Sequence, residues 1–215
     1  KKYYEDGIDE ILYVDTVATL YERVGIHELV TKTVQNVFIP LTVAGGIRSV
    51  EDVDLLLRSG ADKIAINTAA VKNPELISEV SNRFGSQCMV LSIEACKQSD
   101  GSWEAYTDNG REHTNVDALE WATRAEKLGA GEILLTSVDR DGTLKGFDKD
   151  LIKAVSQNVS IPVIASGGFN EPSDFVDIVN DYHADAVAVA SALHFEKYSV
   201  KEIKEDLKSR GINVR

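Results

Sequence analysis

The chain contains two related halves, and this internal repeat limits the folds that it can adopt more than any other feature. Three segments of the first half match three of the second half, in the same order and at nearly the same offset. The matched pairs are residues 7–12 with 129–134 and residues 39–46 with 161–168, both offset by 122 residues, and residues 61–68 with 184–191, offset by 123. A period this long is not that of a solenoid, so we interpret it as a duplicated half-domain.

Short apolar segments alternate with amphipathic stretches along the chain. The apolar segments are rich in Val, Ile and Leu, as is typical of parallel strands covered on both faces. They predict strands at residues 11–15, 41–44, 63–67, 89–94, 133–136, 163–166 and 186–190. The stretches between them predict helices at residues 26–36, 50–59, 74–84, 117–128, 148–157, 172–180 and 199–209. One insertion, residues 103–114 with Asp108-Asn109-Gly110 at its centre, predicts a β-hairpin after the fourth strand.

These elements predict an α/β fold, the (β/α)₈ or TIM barrel, with half-barrel internal duplication. A doubly wound open sheet is the competing architecture, and the repeat favours the barrel. Seven βα units are visible where a closed barrel has eight. Residues 1–7 have the pattern of a helix that ends at Gly7, which suggests that a segment precedes them. We therefore expect residues 1–215 to form a single barrel domain that lacks its N-terminal βα portion, with the first strand missing.

The composition excludes several classes of function. The net charge is −12 and the densest basic run, residues 201–210, is interleaved with acids, so we expect no binding to nucleic acid. No apolar run approaches the roughly 18 residues of a membrane span, and we expect neither a membrane span nor a signal peptide. The two cysteines, Cys88 and Cys96, favour a reducing cytoplasm. The four histidines show no metal-ligand spacing, and we expect neither a metal nor another cofactor.

Matching glycine pairs follow one strand in each half and indicate phosphate binding. Glycine allows the backbone to approach a ligand closely, and the N–H groups at a helix start bind phosphate oxygens. The candidate residues are Gly46, Asn67 and Thr68 in the first half, and Gly168, Ala190 and Ser191 in the second. The alternative, that the glycines only turn the chain, is weaker for two matched pairs than for one. Two such sites across a barrel mouth suit an elongated ligand with a phosphate at each end.

Three carboxylates lie at the ends of predicted strands or in the loop that follows one. Glu94 and Asp15 end apolar strands, and a carboxylate there faces the active-site mouth of a barrel, where it can donate or accept a proton. Asp141, in the loop that follows residues 133–136, is a candidate acid or a partner for a substrate hydroxyl. A structural hydrogen bond is the alternative for Asp15 and Glu94, and a simple turn at Asp141-Gly142 is the alternative for Asp141.

Three charged residues fall at the other ends of the strands. Glu10, Lys63 and Glu132 all lie at strand starts, and we expect them to cluster at the bottom of the barrel. The sequence leaves open whether they are a salt-bridge plug or a gate.

Several longer segments resemble the cyclase subunit of imidazole glycerol phosphate synthase, and the resemblance extends over essentially the whole chain. They are residues 65–70 (AINTAA), 84–87 (FGSQ), 129–137 (GAGEILLTS), 139–143 (DRDGT) and 164–168 (IASGG). The set Glu10, Lys63 and Glu132 and the residues 146–148 (GFD) resemble the cyclase more than the related phosphoribosyl-formimino isomerase.

The resemblance implies a function and a partner. A glutaminase subunit would form a heterodimer with the chain at the N-terminal face of the barrel, near Asp62, and would supply ammonia through the barrel. Glu10, Lys63 and Glu132 would form an ammonia gate, whose fourth family member, an arginine, has no match here. The substrate would be a bis-phosphorylated ribulosyl aminoimidazole-carboxamide, and the products imidazole glycerol phosphate and an aminoimidazole-carboxamide ribotide.

The resemblance also assigns the residues of the active site. It places phosphate groups at Gly46, Asn67 and Thr68, and at Gly142, Gly168, Ala190 and Ser191. Glu94 and Asp141 are the catalytic candidates.

One position departs from the family pattern. Glu94 stands where the family has an aspartate of its acid–base pair, and the partner aspartate falls in the missing segment. The longer side chain moves the carboxylate by about one methylene, and a misplacement of about 1 Å can cost on the order of 10²-fold in rate. Either the site compensates, or the chain is a paralogue that passes ammonia to another acceptor, such as a surface-glycan sugar. If the site is that of a cyclase, Glu94→Asp should keep or raise activity. A phosphate-binding barrel without turnover is a further alternative.

Overall fold

The computed structural model describes residues 1–16 and 26–215, and in these ranges helices and strands alternate. The strands are β1 (Ile11–Val14), β2 (Leu41–Ala44), β3 (Lys63–Ile66), β4 (Met89–Lys97), β5 (Trp103–Thr107), β6 (Glu112–Asp117), β7 (Glu132–Ser137), β8 (Val163–Ser166) and β9 (Ala186–Ala188). The helices are α1 (Lys2–Glu5), α2 (Ile26–Val34), α3 (Val50–Arg58), α4 (Thr68–Lys72), α5 (Glu75–Phe84), α6 (Ala118–Leu128), α7 (Lys149–Ser156), α8 (Ser173–Asn180), α9 (Ser191–His194) and α10 (Val200–Ser209).

Seven strands form a parallel sheet in the order β1-β2-β3-β4-β7-β8-β9, as the apolar segments predict. The predicted hairpin is confirmed: β5 pairs antiparallel with β4 and β6 pairs with β5. The clearest differences from the predicted bounds are at two strands. β4 continues to Lys97 because its last residues pair with the hairpin, and β9 ends two residues earlier than predicted.

The sheet curves into a nearly closed barrel, which confirms the predicted fold class. No ladder joins β9 to β1 within the described ranges. The segments outside these two edge strands nevertheless meet: Lys204 Nζ donates to the Gly7 carbonyl at 2.6 Å and to Asp9 Oδ1 at 2.7 Å. Lys2 Nζ also pairs with Glu196 at 2.6 Å. The two edges of the sheet therefore lie on adjoining sides of one barrel.

The apolar side chains form two layers on the two faces of the sheet. The larger layer, between strands and helices, contains fully buried residues such as Ile64, Leu91 and Ile133. The smaller layer contains Ala44, Ala65, Val90 and Leu134, which alternate with the first set along the strands. Because successive side chains of a strand point to opposite faces, this smaller layer fills the barrel interior.

The internal repeat is also visible in the contacts. Asp52 accepts the backbone N–H groups of Arg48 and Ser49, and its counterpart Asp174 accepts those of Asn170 and Glu171, at 2.9–3.1 Å. Asp62 accepts the N–H of Leu41 at 2.8 Å, and its counterpart Asp185 accepts that of Val163 at 2.9 Å. The duplicated acids therefore fix the same loops and strand starts in each half. None of the helices that the structure describes is long and apolar enough to cross a membrane.

Candidate active site

Glu94 is a half-buried acid at the carboxyl ends of the strands. It lies on β4, and its Oε2 accepts two hydrogen bonds of 2.8 Å, one from Asn67 Nδ2 and one from the backbone N–H of Gly110. Oε1 accepts no hydrogen bond from the part of the chain that the structure describes. One oxygen of the carboxylate is thus fixed by the protein, and the other remains for a ligand.

The surroundings of Glu94 favour its protonated form. Burial raises the pKa of Glu94, and the negative charges of Asp108 and Asp141 act in the same direction. The hydrogen bonds from Gly110 and Asn67 lower the pKa but do not offset these effects. A pKa raised by burial is the property that suits a carboxyl group to act as a general acid or base.

Asn67 connects β3 to the hairpin. Its Nδ2 donates to Glu94 and also to the Tyr106 carbonyl at 3.0 Å, whereas its Oδ1 is buried without a partner in the described ranges. The Asn67 side-chain amide is therefore occupied by Glu94 and Tyr106. The expected phosphate site at Asn67 would use the backbone at the start of α4.

The short helices α4 and α9 begin at matching places in the two halves. The residues before them, Asn67 and Ala190, have nearly the same unusual backbone angles (φ −115°, ψ −87° and φ −120°, ψ −69°). The first N–H groups of a helix have no partner within the helix and are free for a ligand. Thr68 and Ser191, the first helical residues, add a hydroxyl at each start.

The glycine pairs keep the neighbouring strand ends close together. Gly45, Gly46, Gly167 and Gly168 all have positive φ, between 71° and 103°. A Cβ at Gly45 would overlap the Asp15 carbonyl oxygen, and one at Gly167 would lie 2.8 Å from the Ser137 carbonyl oxygen, the counterpart in the other half. These glycines therefore have a packing role as well as the ligand-binding role that the sequence suggests.

Asp141 and Gly142 lie in an exposed turn after β7. The Asp141 N–H donates to the Ser137 carbonyl at 2.9 Å, and the N–H and the hydroxyl of Thr143 both donate to the Arg140 carbonyl. Asp141 makes no hydrogen bond with Glu94, although its charge contributes to the raised pKa of Glu94. The two catalytic candidates thus share one rim but only Glu94 is enclosed.

The three charged residues at the strand starts cluster as expected. Lys63 Nζ lies 2.7 Å from Glu132 Oε1 and 3.1 Å from Glu10 Oε2. Burial alone would lower the pKa of Lys63, but the hydrogen bonds and charges of Glu132 and Glu10 raise it above its ordinary value. Lys63 therefore carries its positive charge at neutral pH, and the cluster lies at the opposite end of the strands from Glu94.

The contribution of the hairpin to the site was not visible in the sequence. The turn at Asp108-Asn109-Gly110 was predicted, but not that it folds over the rim and supplies a hydrogen bond to Glu94. Nor did the pattern indicate that Trp103 Nε1 donates to Asp148, the N-cap of α7, at 3.3 Å. The only available signal was the turn itself, because its direction depends on contacts with distant strands.

The fold and this site define a class: a parallel α/β barrel with an enclosed carboxylate at the carboxyl ends of its strands. The sequence model of the histidine biosynthesis protein family matches residues 1–199 of the chain. The chain belongs to the histidine biosynthesis protein family, as the sequence resemblance predicts.

Individual relatives agree with this assignment. The imidazole glycerol phosphate synthase subunit HisF of Legionella pneumophila is 62% identical over 173 residues, which are 80% of this chain and 82% of the relative. Proteins of the same name from two strains of Dehalococcoides mccartyi are each 49% identical over 214 residues, which are 100% of this chain and 84% of each relative.

Proposed function

We propose that the chain is the cyclase subunit of imidazole glycerol phosphate synthase, a lyase of histidine biosynthesis. In this reaction ammonia is added to a bis-phosphorylated ribulosyl aminoimidazole-carboxamide, and ring closure and cleavage give imidazole glycerol phosphate and an aminoimidazole-carboxamide ribotide. The observation that carries the proposal is Glu94, an enclosed carboxylate at the rim of a barrel that is 49–62% identical to proteins with this name.

Glu94 has the surroundings of a proton-transfer group. The new C–N bonds can form only if protons leave the ammonia nitrogen and reach the departing groups. Oε1 is the oxygen that does not contact the hairpin or Asn67, so in this proposal it exchanges the proton. Asp141, on the next loop around the rim, is the second catalytic group and contacts the substrate from the exposed side.

The two phosphates of the substrate lie at opposite sides of the barrel mouth. One contacts Gly46, Asn67 and Thr68, and the other contacts Gly142, Gly168, Ala190 and Ser191. The matching backbone angles before α4 and α9 support this pairing, because equal helix starts offer equal sets of N–H donors. For Asn67 the contact is through the backbone, since its side chain is bonded to Glu94.

Ammonia enters from the other end of the barrel. Glu10, Lys63 and Glu132 form the gate, and the small residues of the interior layer, Ala44 and Ala65, lie between this gate and the rim. A glutaminase subunit docks at the N-terminal face near Asp62 and forms a heterodimer with the chain. The chain is a single barrel domain and works in the cytoplasm.

The other interpretations receive less support. A paralogue that uses another acceptor is not favoured, because the relatives with 49–62% identity all carry the synthase name. A barrel that only binds phosphates would have no need of an enclosed acid whose pKa is raised by burial.

The direct test uses the full-length protein with an ammonium salt and the bis-phosphorylated intermediate. Imidazole glycerol phosphate is the expected product, measured by chromatography with mass detection. Glu94→Gln should lower turnover by roughly 10²- to 10⁴-fold, the usual range for a general acid or base. A well-folded full-length protein without turnover would contradict the proposed reaction, and an unimpaired Gln variant would contradict the role of Glu94.

A further inference from the structure

The hairpin between β4 and α6 ends in an unusual turn. Asp108, Asn109 and Gly110 have φ values of 52°, 60° and 72°, so three successive residues are in the left-handed region. Residues other than glycine rarely adopt this region, and Asn and Asp tolerate it best. We call these three residues the hairpin tip. A turn of this kind persists only when the contacts around it stabilise it.

The contacts of the hairpin tip reach four different parts of the rim. The Asp108 N–H donates to Thr68 Oγ1 at 3.2 Å, and Asn109 Nδ2 donates to the Thr16 carbonyl at 2.8 Å. The Gly110 N–H donates to Glu94 Oε2 at 2.8 Å, and the position of its missing Cβ lies 3.0 Å from the Val138 side chain. The tip therefore spans the loops after β1, β3 and β7 as well as β4.

Both donors to Glu94 depend on this arrangement. The Gly110 N–H belongs to the tip itself, and the Asn67 amide is oriented by its second bond to the Tyr106 carbonyl of β5. Both hydrogen bonds end on Oε2, so the hairpin fixes the rotation of the carboxylate as well as its depth. The carboxylate of an aspartate, about one methylene shorter, would not reach these donors.

We propose that the hairpin tip is a positioning element for Glu94: it binds Oε2 and thereby directs Oε1 to the substrate. This inference rests on the proposed role of Glu94. It resolves the departure from the family pattern at this position, since the additional methylene of glutamate spans the distance to Gly110 and Asn67. It also changes the expectation for Glu94→Asp, which should now lower activity rather than keep or raise it.

The first experiment removes the connection between the tip and β1. Asn109→Gly deletes the bond to Thr16 and suits the left-handed backbone, so the turn itself is not strained. Asn115→Gly is the matched control, because Asn115 lies on the same hairpin, also has a positive φ (59°) and is exposed. Its side chain makes no hydrogen bond within the described ranges. In the full-length protein with ammonium salt, Asn109→Gly should lower kcat roughly tenfold with KM nearly unchanged, and Asn115→Gly should leave both unchanged.

The second experiment measures the electrostatic link between the tip and Glu94. The acids that raise the pKa of Glu94 are Asp108 on the tip and Asp141 on the loop after β7, and no cation forms an ion pair with Glu94 in the described ranges. Asp108→Asn keeps the backbone preference and removes one negative charge. The limb of the pH–rate profile that belongs to Glu94 should move to lower pH. Asp181→Asn, the same charge change at the far end of α8, should not move it.

The outcomes separate this inference from the proposed function. The hairpin tip does not position Glu94 if Glu94→Gln abolishes turnover but the tip variants have no effect. In that case Asn109→Gly has the same kcat as Asn115→Gly, and Asp108→Asn leaves the Glu94 limb of the pH–rate profile unchanged. If Glu94→Gln retains turnover, the proposed function of Glu94 itself fails. If Glu94→Asp is as active as the unmodified protein, the tip is not needed for the longer side chain and the inference is overturned. Circular dichroism and thermal unfolding confirm that each variant is folded.

Discussion

The two halves of the barrel have kept the same backbone but differ in the side chains that carry charge. Gly45 and Gly167 make equivalent close approaches to the neighbouring strand end. Asp52 and Asp174 fix equivalent loops, and Asp62 and Asp185 fix equivalent strand starts; the distances agree to within 0.2 Å. These positions shape the chain, so a change in either half would have damaged folding.

The differences between the halves lie at the two ends of the barrel axis. Glu10 and Glu132 are counterparts, but Lys63 has Ala186 as its counterpart, so one lysine serves two equivalent acids. At the rim, Asn67 holds Glu94 and its counterpart Ala190 has no polar side chain. Duplication therefore supplied a symmetric scaffold, and asymmetric substitutions created the charged cluster and the enclosed acid.

The largest effect on stability is expected where the scaffold is tightest. Gly45→Ala should reduce the free energy of unfolding by about 2–4 kcal/mol, because a Cβ would overlap the Asp15 carbonyl oxygen at a positive φ. Gly167→Ala, where the nearest atom is 2.8 Å away, should cost about 1–3 kcal/mol. Urea denaturation of both variants measures the difference. Equal losses in the free energy of unfolding would show that the distance from the added Cβ to the carbonyl oxygen does not determine the cost.

The next effect concerns the asymmetry at the rim. Asn67→Ala copies the second half and removes a hydrogen bond to Glu94, so we expect kcat to fall by roughly 10- to 100-fold. Because that hydrogen bond lowers the pKa of Glu94, its loss should move the corresponding limb of the pH–rate profile to higher pH. Stability should change little, since Asn67 Oδ1 is buried without a partner in the described ranges. If this limb of the pH–rate profile does not move, the result contradicts the hydrogen bond from Asn67 to Glu94.

A smaller effect is expected at the charged cluster. Lys63→Met keeps the stem but leaves Glu10 and Glu132 without their cation, and should cost about 1–2 kcal/mol, between the values for exposed and buried pairs, because the Lys63 side chain is 16% exposed. The pKa of Lys63 is raised, so its contribution is present at neutral pH and is lost only as the pH rises above the ordinary value of 10.5. The difference between Lys63→Met and the unmodified protein should therefore be constant from about pH 7 to 9.

The same variant separates a gate from a plug. If the cluster controls ammonia entry, Lys63→Met should alter turnover driven by glutamine and the partner subunit, while turnover driven by ammonium salt is retained. Equal changes in both assays would indicate a structural plug.

The smallest effect tests the symmetric acids at the strand starts. Asp62→Asn and Asp185→Asn should each cost about 1 kcal/mol, since each weakens one hydrogen bond from a backbone N–H group. If the glutaminase docks near Asp62, only Asp62→Asn should weaken the heterodimer, which isothermal titration with the partner measures. Equal affinity in both variants would place the docking surface elsewhere.

Much of the fold could be predicted because it follows from local and periodic properties. The strand starts at Ile11, Leu41 and Lys63 and the capping box at Ser49 are encoded within a few residues. The clustering of Glu10, Lys63 and Glu132 also followed, because the starts of parallel strands meet at one end of a barrel. In contrast, Asn67 was assigned to a phosphate, and its bond to Glu94 was not anticipated, since that contact joins residues 27 positions apart through side-chain geometry.

The duplicated α/β barrel and the family followed from the sequence, and the sequence also proposed where the chemistry occurs. Hydrophobic periodicity and repetition are properties of the chain, so they survive without coordinates. The tertiary contacts, in contrast, bring the hairpin over the rim, direct both donors to the same oxygen of Glu94, and place one lysine between two equivalent acids. Such choices depend on which distant groups come within hydrogen-bond distance, and a difference of one methylene, as at Glu94, decides whether the bonds form.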